Sequence, residues 1–300
     1  MLKNLKSAKF SVVGITILVI FIYWGLRSLP DSECGFLHYD VTEISSNGIE
    51  FCRGNQSVFI NMSELEFPVS MRMEYPEPLE VDKKVDVFLT FFINGDKILY
   101  PHDIALSHTQ KIHLMLVDSS LEDYHHIHPE PIGGLGQWTF SFTPRKSGAY
   151  KAFAEMVPVR TKRHVLSRSE IIVKGVGGFL QVDSAQKKQR GGYVFEITTD
   201  AEPLLVDLNN KVKLAVTKKD GSALVLEPIM GAYAHLVAFD QERNGMCHMH
   251  PISRPGQDIN EPNLEFSFFT KYPGKYKIWV QVKLDDTEYF VPFDIEALDV

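Results

Sequence analysis

HLMLVDSSLEDYHHIHPE, residues 113–130, returns 122 positions later as HLVAFDQERNGMCHMHP, residues 235–251. Both stretches read H-L-x3-D followed by H-x-H-P, and fifteen positions separate the first histidine from the last in each. Working outward, two more blocks recur in the same order. Upstream, Glu77-Pro78-Leu79-x-Val81-Asp82 matches Glu202-Pro203-Leu204-x-Val206-Asp207. Downstream, Phe140-Ser141-Phe142-x5-Gly148-x-Tyr150-Lys151 matches Phe266-Ser267-Phe268-x5-Gly274-x-Tyr276-Lys277. The offset drifts from 125 to 122 to 126, as it would if insertions fell in loops between blocks. Ordered recurrence of this kind marks a duplicated domain.

Within each copy the apolar segments are short, alternating and rich in β-branched and aromatic residues. VDVFLTFFI, KIHLMLV and WTFSF in the first copy and KVKLAV, AHLVAF and KYKIWVQV in the second read as strands. Asp220-Gly221 reads as a turn. The pattern predicts an all-β chain of two tandem sandwiches. A tyrosine just after a glycine turn and before a strand, as at Tyr150 and Tyr276, is where immunoglobulin-like sandwiches place their tyrosine corner, a packing device. The domains are expected at 67–175 and 179–300, jointed at Gly175-Val176-Gly177-Gly178. Residues 31–66 fit neither copy and are expected to form a small hairpin-like segment, with Cys34 and Cys52 as a candidate disulfide.

The first 30 residues carry four basic and no acidic side chains, so the remainder is more acidic than the whole-chain charge of −7. Such a body, without basic blocks, argues against nucleic acid as a partner. From Phe10 to Leu26 the chain is uncharged and close to bilayer-spanning length. Lys3, Lys6 and Lys9 precede that run, so residues 1–30 are expected to be a cytoplasmic stub and a single-pass transmembrane helix. The bulk is then extracytoplasmic, in the periplasm. A cleaved signal peptide is the rival reading, but RSLPDSEC offers no small-x-small cleavage site.

Alternate residues of a strand share a face, so His126 with His128, and His248 with His250, point the same way. The same parity adds Tyr124 in one copy and Met246 in the other, and turns His125 and Cys247 to the opposite side. His113 and His235 lie on the preceding strand, which a hairpin brings alongside. The candidate metal ligands are therefore His113, His126 and His128, and His235, Met246, His248 and His250. Imidazole suits copper and zinc, and a thioether adds a preference for cuprous copper. The structural alternative makes the first histidine a buried strand residue and H-x-H-P a turn element. Neither HExxH, G-x-S-x-G nor a phosphate-cradling loop occurs, so no enzyme is expected.

At these residues, and at FSFTPRKSGAYKAFAEMVP and FSFFTKYPGKYKIWVQV, the chain resembles bacterial exported proteins with YtkA-like or cupredoxin-like β-sandwich domains, described as copper- or heavy-metal-associated. The resemblance covers roughly residues 70–298 and implies an extracytoplasmic module in metal handling; Cys247, ahead of the second H-x-H, departs from it. Two functions compete on these residues. One is a membrane-anchored copper protein, with zinc as the alternative ion. The other is a non-catalytic interaction or assembly module that meets an envelope membrane-protein partner and uses its histidines structurally.

Overall fold

The computed structural model describes residues 2–27, 42–44, 50–52, 57–65, 67–176, 185–252 and 263–299. An N-terminal helix, α1, runs over Leu2–Arg27, and its side chains are described from Val12 to Gly25. Among the described residues, no helix is long and apolar enough to cross a membrane. A short hairpin follows, β1 (Thr42–Ile44) against β2 (Glu50–Cys52). Cys34 lies outside the described residues, and so does its expected pairing with Cys52.

The remainder is all-β. Strand β3 (Ile60–Asn61) precedes the first sandwich, which comprises β4 (Val69–Glu74), β5 (Leu79–Glu80), β6 (Val85–Ile93), β7 (Lys97–Ile98), β8 (Ile112–Val117), β9 (Tyr124–Ile127), β10 (Glu130–Ile132), β11 (Gln137–Phe142), β12 (Gly148–Met156) and β13 (Val165–Lys174). The second comprises β14 (Lys187–Arg190), β15 (Tyr193–Thr199), β16 (Leu204–Leu205), β17 (Asn209–Lys218), β18 (His235–Asp240), β19 (Gly245–Met249), β20 (Asn263–Phe269), β21 (Gly274–Leu284) and β22 (Thr287–Leu298). Sheet order β5-β13-β12-β8-β9 in the first copy repeats as β16-β22-β21-β18-β19 in the second. The facing sheets, β10-β11-β6-β4 and β14-β15-β17-β20, complete the two sandwiches. The duplication expected from the repeated blocks is thus a duplication of topology.

The repeated tyrosines act as corners. The Tyr150 hydroxyl accepts from the Lys146 amide at 3.0 Å and donates to Asp123 Oδ2 at 2.5 Å, and that of Tyr276 donates to the Tyr272 carbonyl at 2.6 Å, each tied to the residue four positions upstream. Residues 57–65 depart from the expected small independent segment. β3 pairs with β19 as an added edge strand, and Phe59 enters the second core. Gly245 allows this, because a Cβ there would sit 2.0 Å from the Ile60 carbonyl oxygen.

Burial along β8 shows how the sandwiches are arranged. All six of its residues are buried, whereas a strand with one solvated face alternates. Ile112, Leu114 and Leu116 fill the first core; Met115 and Val117 instead join a separate cluster with Val237, Phe239, Met246 and Trp279 of the second copy. The two repeated sheets therefore pack face to face, and both sandwiches lie within one unit, Leu37–Val300. Polar ties run across the seam. Arg243 donates to the Ala149 carbonyl at 2.9 Å, Lys151 to the carbonyls of Glu242 and Arg243, and the Trp279 indole to the Leu121 carbonyl at 3.2 Å.

Candidate metal centre

The conserved spacing of the duplicated motif has a local cause. Asp118 accepts from the backbone amides of Ser120, Glu122 and Asp123, and Asp240 accepts from that of Gly245 at 2.9 Å. A carboxylate at the end of one strand thus organises the turn that returns the chain as the H-x-H strand. Register then sets the faces. Met115 pairs with His126 and Leu114 with Ile127; Val237 pairs with His248 and Leu236 with Met249. Directly paired residues of antiparallel strands share a face, so His113, His126 and His128 look into the seam with Met115, and their counterparts do so with Val237. His125 and Cys247 turn inward, as parity required: His125 packs on Phe142, and Cys247 lies in the second core.

Two triads result, His113/His126/His128 and His235/His248/His250, and within each the candidate donor atoms lie within 4.8 Å of one another. Met246 shares the face of His248 but is taken up in the apolar cluster of the seam. The triads also adjoin each other. Ring centroids of His126 and His248 are 5.2 Å apart, and those of His113 and His248 5.3 Å.

Hydrogen-bond partners assign the ring tautomers. His113 Nε2 faces the Ser107 carbonyl at 3.0 Å, which can only accept, so Nε2 carries the proton and Nδ1 presents a lone pair. His126 Nδ1 faces Gln281 Oε1 at 2.8 Å; the Gln281 amide nitrogen donates to Glu288, which orients that oxygen and leaves His126 Nε2 as a lone pair. Those two lone pairs, His113 Nδ1 and His126 Nε2, face each other at 3.2 Å, and His128 Nε2 approaches the same Nδ1 at 3.3 Å. The second triad repeats the pattern. His235 Nε2 donates to the Ile229 carbonyl at 3.0 Å, His248 Nδ1 donates to Glu155 Oε2 at 2.8 Å, and His235 Nδ1 and His248 Nε2 meet at 3.1 Å. Neither nitrogen of His250 has a hydrogen-bond partner, although the residue is 4% exposed.

Protonation is a poor way to relieve this convergence. Burial, then the neighbouring imidazoles, hold His113, His126, His235 and His250 well below the ordinary histidine value. Burial and His248 bring His128 to about 4. Burial alone would raise Glu155, but hydrogen bonds from His164 and His248, and their charge, hold it well below the carboxylate range. Those five imidazoles are therefore held neutral, and the Glu155 carboxylate sits beside His248. The centre can offer nitrogen lone pairs to a cation, with no hydroxyl or thiol nucleophile in the set.

Four participants escaped the sequence reading. His108 stacks on His250 with centroids 3.8 Å apart, and His164 meets Glu155 at 3.2 Å. Neither belongs to a repeated block, and nothing in the sequence singled them out. Glu155 and Gln281 were legible in principle, as the polar residues at one repeat position in the apolar strands AFAEMV and KIWVQV. A cleft of about 550 Å³ between the modules, lined by Tyr124, His126, Trp279 and Phe290, reaches the edge of the cluster.

The family model described as Domain of unknown function (DUF8832) matches residues 69–169 and again 187–299, one match per sandwich. A search of curated proteins finds no match. Solved structures similar to the chain include FdeC, an Escherichia coli adhesin, at 12% identity and TM-score 0.22, over 76% of this chain and 64% of that one. Fibronectin(III)-like modules of Clostridium thermocellum CbhA match at 13% and 0.21, over 76% and 94%. The bacterial integrin-binding protein invasin matches at 12% and 0.22, over 75% and 39%. The chain thus spans less than two thirds of the adhesin and of invasin.

Proposed function

We propose, from the premise that this chain belongs to the DUF8832 family of unknown function and carries its domain twice, that it is a non-catalytic protein binding a transition-metal ion at the histidine centre between its sandwiches. The observation that carries this reading is the pair of facing ring nitrogens in each triad, His113 Nδ1 and His126 Nε2 at 3.2 Å with both other nitrogens donating, and His235 Nδ1 and His248 Nε2 at 3.1 Å. Two lone pairs at that distance repel unless a cation lies between them. Two nitrogens on a tetrahedral ion with bonds of about 2.0 Å are separated by roughly 3.3 Å. Each triad also has the outer hydrogen bonds that orient ligating imidazoles, from backbone carbonyls, Gln281 and Glu155. An all-imidazole set suits copper or zinc, and copper is the ion implied by the resemblance to YtkA-like domains.

The proposal includes an extracytoplasmic body attached to a membrane through α1, whose large apolar side chains from Val12 to Trp24 are exposed. Carbonate extraction of membranes tests that part: release of the chain with peripheral proteins would refute it. Metal binding is tested by stripping the purified full-length chain and titrating it with zinc and with cuprous copper. Stoichiometric uptake, lost in a His126→Ala/His128→Ala/His248→Ala/His250→Ala variant that keeps its β-sheet circular dichroism, is expected. An unchanged titration would refute the reading and leave the histidines as structural elements of an interaction module.

A further inference from the structure

Glu155 and Gln281 occupy the same position of the duplicated block, 126 residues apart like Tyr150 and Tyr276. Each pairs across its sheet with the first histidine of its own module, Glu155 with His113 and Gln281 with His235. Yet each reaches over the seam to the middle histidine of the other module. Glu155 Oε2 takes the Nδ1 proton of His248 at 2.8 Å, and Gln281 Oε1 takes that of His126 at 2.8 Å. The exchange is reciprocal in geometry and unequal in chemistry, because one partner is an anion and the other a neutral amide.

That inequality bears on the bound ion. A carboxylate accepting the Nδ1 proton of a ligating imidazole raises the basicity of Nε2 and places a negative charge beside the cation; an amide does only the orienting. The effect is large where solvent is excluded, and the His248 side chain is 2% exposed. Because rings of the two triads lie 5.2–5.3 Å apart, a cation in one triad also repels a cation arriving in the other.

Resting on the metal-binding reading above, we propose that the two triads are inequivalent and fill in order: His235/His248/His250, with Glu155 as positioning residue, takes the first ion tightly, and His113/His126/His128 takes a second ion more weakly. Outer partners of this kind are worth about 10- to 100-fold in metal affinity, which sets the scale of the gap.

The test is a titration of the stripped full-length chain with zinc against a competing chelator, repeated with cobalt(II) to read the ligand field. Two steps are expected. His248→Ala should remove the tight step, and His126→Ala the weak one. Glu155→Gln should weaken the tight step about 10- to 100-fold. Gln281→Glu should strengthen the weak step, a gain that misfolding cannot mimic. Two ions binding with affinities that neither Glu155→Gln nor Gln281→Glu moves by more than about two-fold would overturn the inference and leave the metal centre standing. A single step abolished by either histidine variant would overturn it in favour of one shared site. No stoichiometric binding of either ion would overturn the metal-binding reading itself.

Discussion

Acidification of the metal-free protein should destabilise it well above the range where carboxylates usually titrate. His113, His126, His128, His235 and His250 are neutral in the fold because burial lowers their proton affinity, whereas in the unfolded chain they titrate near the ordinary value. Below about pH 6.5 the unfolded state therefore binds more protons than the native state, and stability falls with pH. For a depressed histidine the stability is present in full above the unfolded value and is lost as pH falls towards the folded one. His128 has a folded value of about 4, so its window runs from about 6.5 down to about 4. At pH 5 it alone costs about 2 kcal/mol relative to neutral pH, and His113, His126, His235 and His250 act in the same direction. The combined loss is a sizeable part of the roughly 5–15 kcal/mol that holds an ordinary domain folded. The assay is urea unfolding of the stripped full-length chain at half-unit steps between pH 7.5 and 5, followed by tryptophan fluorescence; Trp279 lies in the seam and Trp138 in the first core. A urea midpoint that stays level across that range would refute the account of a neutral, buried histidine centre.

Other expectations concern the frame around the centre. Trp279→Ala removes a stacking partner of Tyr124 and the indole bond to Leu121, and should cost about 3–5 kcal/mol by thermal denaturation and weaken zinc binding with it. Tyr276→Phe deletes the corner hydroxyl bonded to Tyr272 and Thr270 and should lower stability by about 1–3 kcal/mol, with metal affinity unchanged in titration. Gly245→Ala places a Cβ against the Ile60 carbonyl and should release β3, read as lost hydrogen-exchange protection at residues 60–62 while the second core stays protected. Arg243→Ala removes a donor to the Ala149 carbonyl across the seam; an interface no easier to open by hydrogen exchange would count against that tie.

The sequence by itself determined the duplication, the strands and the parity of the histidines. These are local properties: a period of two decides which side chains share a face, and an aspartate before a turn decides how the next strand returns. His126, His128, His248 and His250 were placed on common faces correctly, and Cys247 and His125 on the opposite ones, by that period alone. Parity says only that two faces differ. Whether a face meets its own core, solvent or another domain depends on contacts between segments more than a hundred residues apart, such as Tyr124 on Trp279. Tertiary structure alone decided that the histidine faces turn towards each other, that His108 and His164 join them, and that Glu155 and Gln281 exchange partners across the seam. The sequence left open how the two motifs lie relative to each other, and the packing of two sheets, no local pattern, placed the two triads side by side.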